Sequence, residues 1–184
     1  MEHRADRFRR LLEPHHDRVL GFARSLTRAT SEGDDLFQDA MLHAFKKLDA
    51  LRDEADFRPW LYRIVINAHR SRCRLVFWRR LIPFAGGDET ALDDEQLYRT
   101  GTWSPGAADA NRRARAALAK LPAEIREAIV LFEIEGWTVD EIAALNASSP
   151  SAIKSRLARG RARLRALYEE QPSLAASLAT GDTT

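Results

Sequence analysis

The sequence predicts an all-α protein: two small helical domains joined by a flexible acidic linker. Three observations carry this. Apolar residues recur at helical spacing in both halves of the 184-residue chain. A helix-turn-helix pattern stands near the end, over residues 137–168. Between the halves, residues 83–106 gather Gly, Pro and acidic side chains and read as a linker of low order. The resulting map is a first domain at 1–82, a linker at 83–108, a second domain at 109–171 and a disordered tail at 172–184.

Composition narrows the class. Hydrophobic residues make up 45% of the chain, an ordinary share for a folded domain. The net charge of +2 is unevenly spread. Residues 1–82 carry 17 Lys and Arg against 12 Asp and Glu, residues 83–111 carry 1 against 6, and residues 112–170 carry 11 against 8. Two basic parts are thus separated by an acidic one. The lone Cys73 excludes an intramolecular disulfide framework and fits a reducing compartment. No apolar run approaches membrane-span length, and the opening Met1-Glu2-His3-Arg4 lacks a signal peptide's apolar core, so a cytoplasmic location is expected.

Taken in order, Phe8, Leu11, Leu12, Val19, Leu20, Phe22, Ala23 and Leu26 predict a helix that Pro14 starts or kinks. A turn follows at residues 28–33, where Ser31 and Asp34 have capping-box spacing. The next helix runs to about Leu48 and is expected to bury Phe37, Met41, Ala44, Phe45 and Leu48. Its other face carries Asp35, Asp39, His43 and Lys46, but also Leu36 and Leu42. Leucines beside acids outside the core stripe point to a protein partner; ordinary exposed leucines or extra core contact are the plainer alternative.

Residues 51–56 form a polar loop before a helix over residues 57–74. Phe57, Trp60, Leu61, Ile64 and Ala68 make one apolar face, with Tyr62, Ile66 and Cys73 opposite, so two sides are expected to be buried. Between them runs a polar strip, Arg63, Asn67, Arg70 and Arg74, edged by Trp60. Arginines hold phosphates, Asn reads a base edge and an aromatic stacks on an unpaired base, which suits opened or single-stranded nucleic acid. A solvated basic edge with a core Trp is the alternative. Phe77-Trp78 and Arg79-Arg80 extend the same character, and one helical turn is expected near residues 92–98.

A helix from Asp109 should stop near Leu121-Pro122, and a further one over residues 124–135 should turn Ile125, Ala128, Ile129 and Phe132 inward and end at Gly136. Thr138 with Glu141 forms a capping box for a short helix over residues 139–145. Ser149 is placed to cap the last helix, and Pro150 fits its first position, where no N–H is needed. Ile153, Leu157, Gly160, Leu164, Leu167 and Tyr168 form its apolar side. Opposite lie Ser151, Ser155, Ala158, Arg159 and Ala162, flanked by Lys154, Arg156, Arg163 and Arg165, with no acid from residue 154 to 165. Small residues permit close approach, and the basic and hydroxyl groups suit phosphates and base edges in a DNA major groove. An arginine-rich solvated helix end is the alternative.

Two other function classes fit less well. An autonomous helix-turn-helix repressor needs a dimer interface, and the chain has no long heptad seam. A metal-dependent enzyme would draw on His69 and Cys73 at i, i+4, on His15-His16 and on Asp34-Asp35, but no third and fourth ligands fall at metal-site spacing. A core histidine and a buried inert thiol are expected instead, with no metal, cofactor or catalytic residue.

Three blocks in order resemble the extracytoplasmic-function (ECF) group of bacterial sigma factors: GDDLFQDAMLHAFKKL at residues 33–48, DFRPWLYRIVINAHRSRCR at 56–74, and LPAEIREAIVLFEIEGWTVDEIAALN with SAIKSRLARGRARLRALY across 121–168. The resemblance implies core RNA polymerase (its β′ coiled coil and β flap), promoter DNA and an anti-sigma factor as partners. It implies that Asp35, Leu36, Gln38, Asp39 and Leu42 dock on the β′ coiled coil. Leu51, Arg52, Asp53, Glu54 and Asp56 would belong to the loop that captures a flipped −10 base. Trp60, Arg63, Asn67, Arg70, Ser71 and Arg74 would line the melted −10 strand. Ser149, Ser151, Lys154, Ser155, Arg156, Ala158, Arg159 and Arg163 would face the −35 element. The acidic linker would thread toward the polymerase active-site and RNA-exit channels. One departure stands in the turn, where the family usually has Leu-Gly-Val and this chain has Asn146-Ala147-Ser148. The left-handed position is expected to shift onto Asn146, with some loss of core contact.

Overall fold

Two compact units, Met1–Trp103 and Ser104–Thr184, make up the computed structural model. It describes residues 3–81 and 105–169, with side chains for 3–75 and 112–169. Most of the 83–108 linker, the turn near residues 92–98 and the 172–184 tail lie outside the described residues.

In the first unit, α1 (Arg4–Leu12) and α2 (His16–Leu26) are separate helices joined by a 3₁₀ turn, Glu13–His15. Pro14 lies in that turn, and its ring supplies no N–H, so the helical run over residues 8–26 is interrupted at the position where a start or kink is expected. Helix α3 spans Thr30–Lys46 and α4 spans Phe57–Leu81, with 3₁₀ turns Leu48–Ala50 and Glu54–Asp56 between them. The core is Val19, Phe22, Ala23 and Leu26 of α2 against Leu36, Ala40 and Ala44 of α3 and Phe57, Leu61, Tyr62, Val65 and Ile66 of α4.

Two expectations for α3 are corrected. Leu36 is fully buried and belongs to the core, while Phe37, Met41 and Phe45 are only half-buried, so the packed stripe is rotated toward Leu36 and Ala40. The rotation follows from Gly33. A Cβ there would lie 2.5 Å from the Arg24 Cα, so α2 and α3 touch backbone to backbone at this point. Nor does the Ser31–Asp34 capping box form. Helix α3 has Ala29 as its N-cap without a side-chain cap. Asp34 instead accepts a 2.6 Å hydrogen bond from Arg24 across the α2–α3 seam.

In the second unit, α5 spans Pro105–Ala119, beginning four residues before the expected start at Asp109. Helix α6 is Ala123–Ile129; it continues into a π-helical turn, Val130–Ile134, so the expected 124–135 helix widens in its second half and leaves Phe132 half-exposed. Gly136, at φ +73, ends it. Arg126 is 5% exposed, and its guanidinium donates to the carbonyls of Leu118 at 2.8 Å, Ala119 at 2.7 Å and Leu121 at 3.0 Å. These carbonyls lie at the C-terminal end of α5, where a cation is favoured; that of Leu118 also accepts from Leu121 N–H at 3.0 Å.

Helices α7 (Val139–Leu145) and α8 (Pro150–Glu169) form the helix-turn-helix. The capping box is present: Glu141 N–H donates to Thr138 Oγ1 at 3.3 Å, and Thr138 N–H donates to the Glu141 carboxylate at 2.8 Å. Ser149 Oγ accepts from Ala152 N–H at 3.2 Å. Ile153, Leu157 and Gly160 bury one side of α8, and a Cβ on Gly160 would meet Ile129 at 2.6 Å, so α6 and α8 also pack at near-backbone distance. Leu164 and Leu167 are half-buried and Tyr168 is 49% exposed, so the apolar side fades one turn earlier than expected.

The turn itself differs from expectation. The left-handed residue is Ala147, at φ 47, while Asn146 has φ −93. Asn146 is buried, and neither its side-chain N–H₂ nor its carbonyl finds a hydrogen-bond partner among the described residues. Both features work against stability. Ala147→Gly should therefore raise stability by about 0.5–1 kcal/mol, and Asn146→Leu by about 1–3 kcal/mol. Both appear as an upward shift in the urea midpoint of the full-length chain, followed by circular dichroism.

Candidate nucleic-acid and polymerase interfaces

Three of the four flanks of α4 are spoken for. Phe57, Leu61, Tyr62, Val65, Ile66 and His69 are buried, and Trp60, Ile64 and Ala68 are half-buried. The exposed residues up to position 75 include Arg63, Asn67, Ser71 and Arg74, with Arg70 half-buried beside them and Cys73 and Leu75 also exposed. From Arg63 to Arg74 the strip is about 16 Å long. Arg74 donates to Ser71 Oγ at 3.1 Å, which fixes its end of the strip. The Trp60 ring lies 5.8 Å from Phe57, which meets Phe8 edge-on at 6.3 Å and stacks with His15 at 6.0 Å. Burial first, then the nearby Arg58 and Arg18, hold the His15 pKa below its usual value, so this ring is neutral at neutral pH.

At the N-terminal end of the strip, Arg52, Asp53, Glu54 and Asp56 are exposed. Two residues of the loop have partners inside the unit. Leu51 is buried and anchors the loop from inside. The Glu54 carboxylate is held by Arg7 at 2.9 Å and Arg10 at 3.0 Å, so it is occupied within the unit. Asp53 accepts from Ala55 N–H at 2.9 Å, which shapes the 3₁₀ turn.

On α3, Asp35, Gln38, Asp39 and Leu42 share the exposed side, and Leu42 is 58% exposed. Leu36 is not among them, because it faces the core. Asp39 pairs with Arg72 of α4, tying this face to the helix that carries the strip. On α8, Ser151, Lys154, Ser155, Ala158, Arg159 and Arg163 are exposed. Arg156 is turned inward: its guanidinium donates to Glu124 at 2.8 Å and its side chain is only 18% exposed, so it braces α8 against α6. The Ser149 hydroxyl is committed to its cap. Arg159 Nε reaches the Ser155 carbonyl at 3.3 Å while staying exposed.

Cys73 is exposed rather than buried, with Sγ 3.5 Å from the buried His69 Nε2. Among the described residues no group of three or more His, Cys, Asp or Glu is placed to hold a metal ion, and no helix is long and apolar enough to cross a membrane.

Two family profiles match the chain, Sigma-70 region 2 over residues 11–75 and Sigma-70, region 4 over residues 111–164. The ECF RNA polymerase sigma factor SigM of Mycobacterium tuberculosis is 33% identical over 157 residues, covering 85% of this chain and 74% of the relative. The RNA polymerase sigma factor CarQ of Myxococcus xanthus is 32% identical over 167 residues, covering 90% and 91%. The chain belongs to the ECF group of sigma factors.

Solved structures of other sigma factors have the same fold. RpoE of Bartonella quintana, crystallised with the anti-sigma factor NepR, matches with a TM-score of 0.68 at 26% identity, covering 88% of this chain and 96% of that one. CnrH, in complex with the cytosolic domain of CnrY, matches with a TM-score of 0.61 at 30% identity, covering 89% and 88%. This sigma factor is thus a transcription initiation factor whose region 2 is built on α4 and whose region 4 ends in the helix-turn-helix.

The residues that sequence reasoning missed are the ones that support region 2 from a distance: Arg7, Arg10, Phe8 and His15. Their partners stand 37 or more residues away, as in the Arg10–Glu54 pair at a separation of 44, and helical periodicity reports only local neighbours.

Hydrogen bonds from Arg10 and then Arg7 hold the Glu54 carboxyl below its usual pKa. A depressed carboxylate contributes its full share above the unfolded-state pKa and loses it as pH falls through the lower folded value. Wild type and Arg10→Ala should therefore differ in stability by a constant amount near neutral pH, and the difference should vanish below the folded pKa. Urea titrations across the acid range check this, and added salt should shrink the difference at every pH.

Proposed function

We propose that this sigma factor binds core RNA polymerase through Asp35, Gln38, Asp39 and Leu42 of α3, and directs start-site choice by gripping promoter DNA at two separate elements. The exposed side of α8, with Ser151, Lys154, Ser155, Ala158, Arg159 and Arg163, reads the −35 duplex. Trp60 and the Arg63, Asn67, Arg70, Ser71 and Arg74 strip, with the loop at residues 51–56, hold the unpaired −10 strand. The observation that carries the reading is the strip itself: an Arg/Asn surface left outside on a helix otherwise committed to the core. Arg63, Asn67, Ser71 and Arg74 reach solvent at the spacing of one helix side.

Melting is driven by binding. Extruding a base costs a few kcal/mol, and stacking on an aromatic returns about 1–3 kcal/mol per base, with phosphate contacts added. The protein performs no chemistry, and the polymerase makes the RNA. Residues 83–108, between regions 2 and 4, carry five acidic side chains against one Arg. The β flap is the expected dock for region 4. The complex of RpoE with the anti-sigma factor NepR supports an anti-sigma factor as the partner that holds the free protein in the cytoplasm.

Reconstitution with core polymerase and a randomised promoter library tests the proposal: a defined −10 and −35 pair should emerge, and absence of start-site choice overturns it. In the same assay Asn67→Ala should lower open-complex formation more than closed-complex binding, as read by permanganate footprinting against gel shift. Arg159→Ala should cost about 1–3 kcal/mol at one −35 position if it reads a base edge, and weaken all promoters equally if it touches only phosphate.

A further inference from the structure

Helix α1 gathers the whole segment between α3 and α4. Arg4 donates to the carbonyls of Phe45 and Lys46, each at 2.7 Å, the orphan acceptors that end α3. It also lies 3.4 Å from Asp49. One turn on, Arg7 Nε and Arg10 Nη1 take the two Glu54 oxygens at 2.9 and 3.0 Å, and Arg10 Nη2 adds a third contact at 3.2 Å. Between them Phe8 meets Phe45 at 5.5 Å and Phe57 at 6.3 Å, and Phe57 in turn lies against Trp60. The loop is therefore held at its start, at its far end and beneath the first turn of α4, all by one helix.

The fork on Glu54 adds little to folding. Glu54 is 40% exposed at its side chain, with Arg7 at 29% and Arg10 at 53%, and pairs this wet contribute little net stability. Geometry is what two guanidinium groups on one carboxylate supply, because charge-assisted contacts from two directions fix where Glu54 stands. The loop's other charged groups, Arg52, Asp53 and Asp56, are exposed and stand within two residues of it.

We propose that Arg7 and Arg10 are specificity-positioning residues: by clamping Glu54 they set the loop shape that presents Arg52, Asp53 and Asp56 to an unpaired promoter base. This rests on the reading of residues 51–56 as the −10 capture loop. Glu54 itself reads no base. A preformed loop discriminates bases because it does not reshape around the wrong one, whereas a released loop adapts to several.

The test uses the full-length chain on core polymerase, with a promoter library randomised at both elements and start sites counted by sequencing. Two variants are compared with wild type: the Arg7→Ala/Arg10→Ala double substitution, and Glu54→Gln, which keeps the side-chain shape and removes the charge. Both should lower discrimination at one or more −10 positions by about fivefold or more, the lower end of what one mismatched base pair costs. Preferences at −35 should stay within about twofold of wild type. If output falls equally across the library, or the −10 preferences of both variants stay within about twofold, the clamp is only structural and the proposal is overturned while start-site choice by wild type still stands. If wild type itself shows no −10 preference, the capture-loop reading fails and takes the proposal with it. Should the double variant lose its helical circular dichroism, Glu54→Gln alone decides between these outcomes.

Discussion

Tyr62, Val65 and Ile66 press α4 into the core of region 2, and that burial decides what the rest of the helix can do. A helix held on most of its circumference cannot rotate to hide or expose its remaining side. Arg63, Asn67, Ser71 and Arg74 therefore stand outside by exclusion, in a straight strip whose spacing is set by the helix itself. Everything proposed for strand capture inherits its precision from apolar packing on the opposite side. The same logic operates in region 4, where Ile153, Leu157 and Gly160 seat α8 against α6 and leave its small and basic residues facing out.

Arginine is put to three distinct uses, and counting charges does not separate them. Arg4 and Arg126 close helix ends, donating to the last carbonyls of α3 and α5. Arg7, Arg10, Arg24, Arg156 and Arg161 brace one helix or loop against another through carboxylates. Arg63, Arg159 and Arg163 are left on the surface. The planar fork of the guanidinium suits all three uses, which is why Lys would not substitute evenly across them.

Much of this was legible from the chain alone. The capping box at Thr138, the Ser149 cap and the Pro150 start are local chemistry, and each stands where short-range rules place it. The exposed strip on α4 was legible because a 3.6-residue period separates it from two apolar faces. What the sequence did not display is contact between separate elements. Leu36 looked like a surface leucine because Gly33, whose missing side chain lets α2 approach, has no apolar signal of its own. Arg156 and Glu54 looked like ligand-facing charges because Glu124, Arg7 and Arg10 are distant in sequence. Ala147 took the left-handed position although Asn146 has the better intrinsic tolerance for it, because the packing of α7 on α8 outranks a preference of about 1 kcal/mol.

The exposure of Cys73 has a practical consequence. It is the chain's single cysteine, it is accessible, and it lies one helical residue from the Arg74 end of the strip. A maleimide dye or spin label would attach there without any engineered thiol and without competing sites. Such a reporter would sense the arrival of a DNA strand through quenching or distance change, turning the native molecule into its own kinetic instrument for promoter opening.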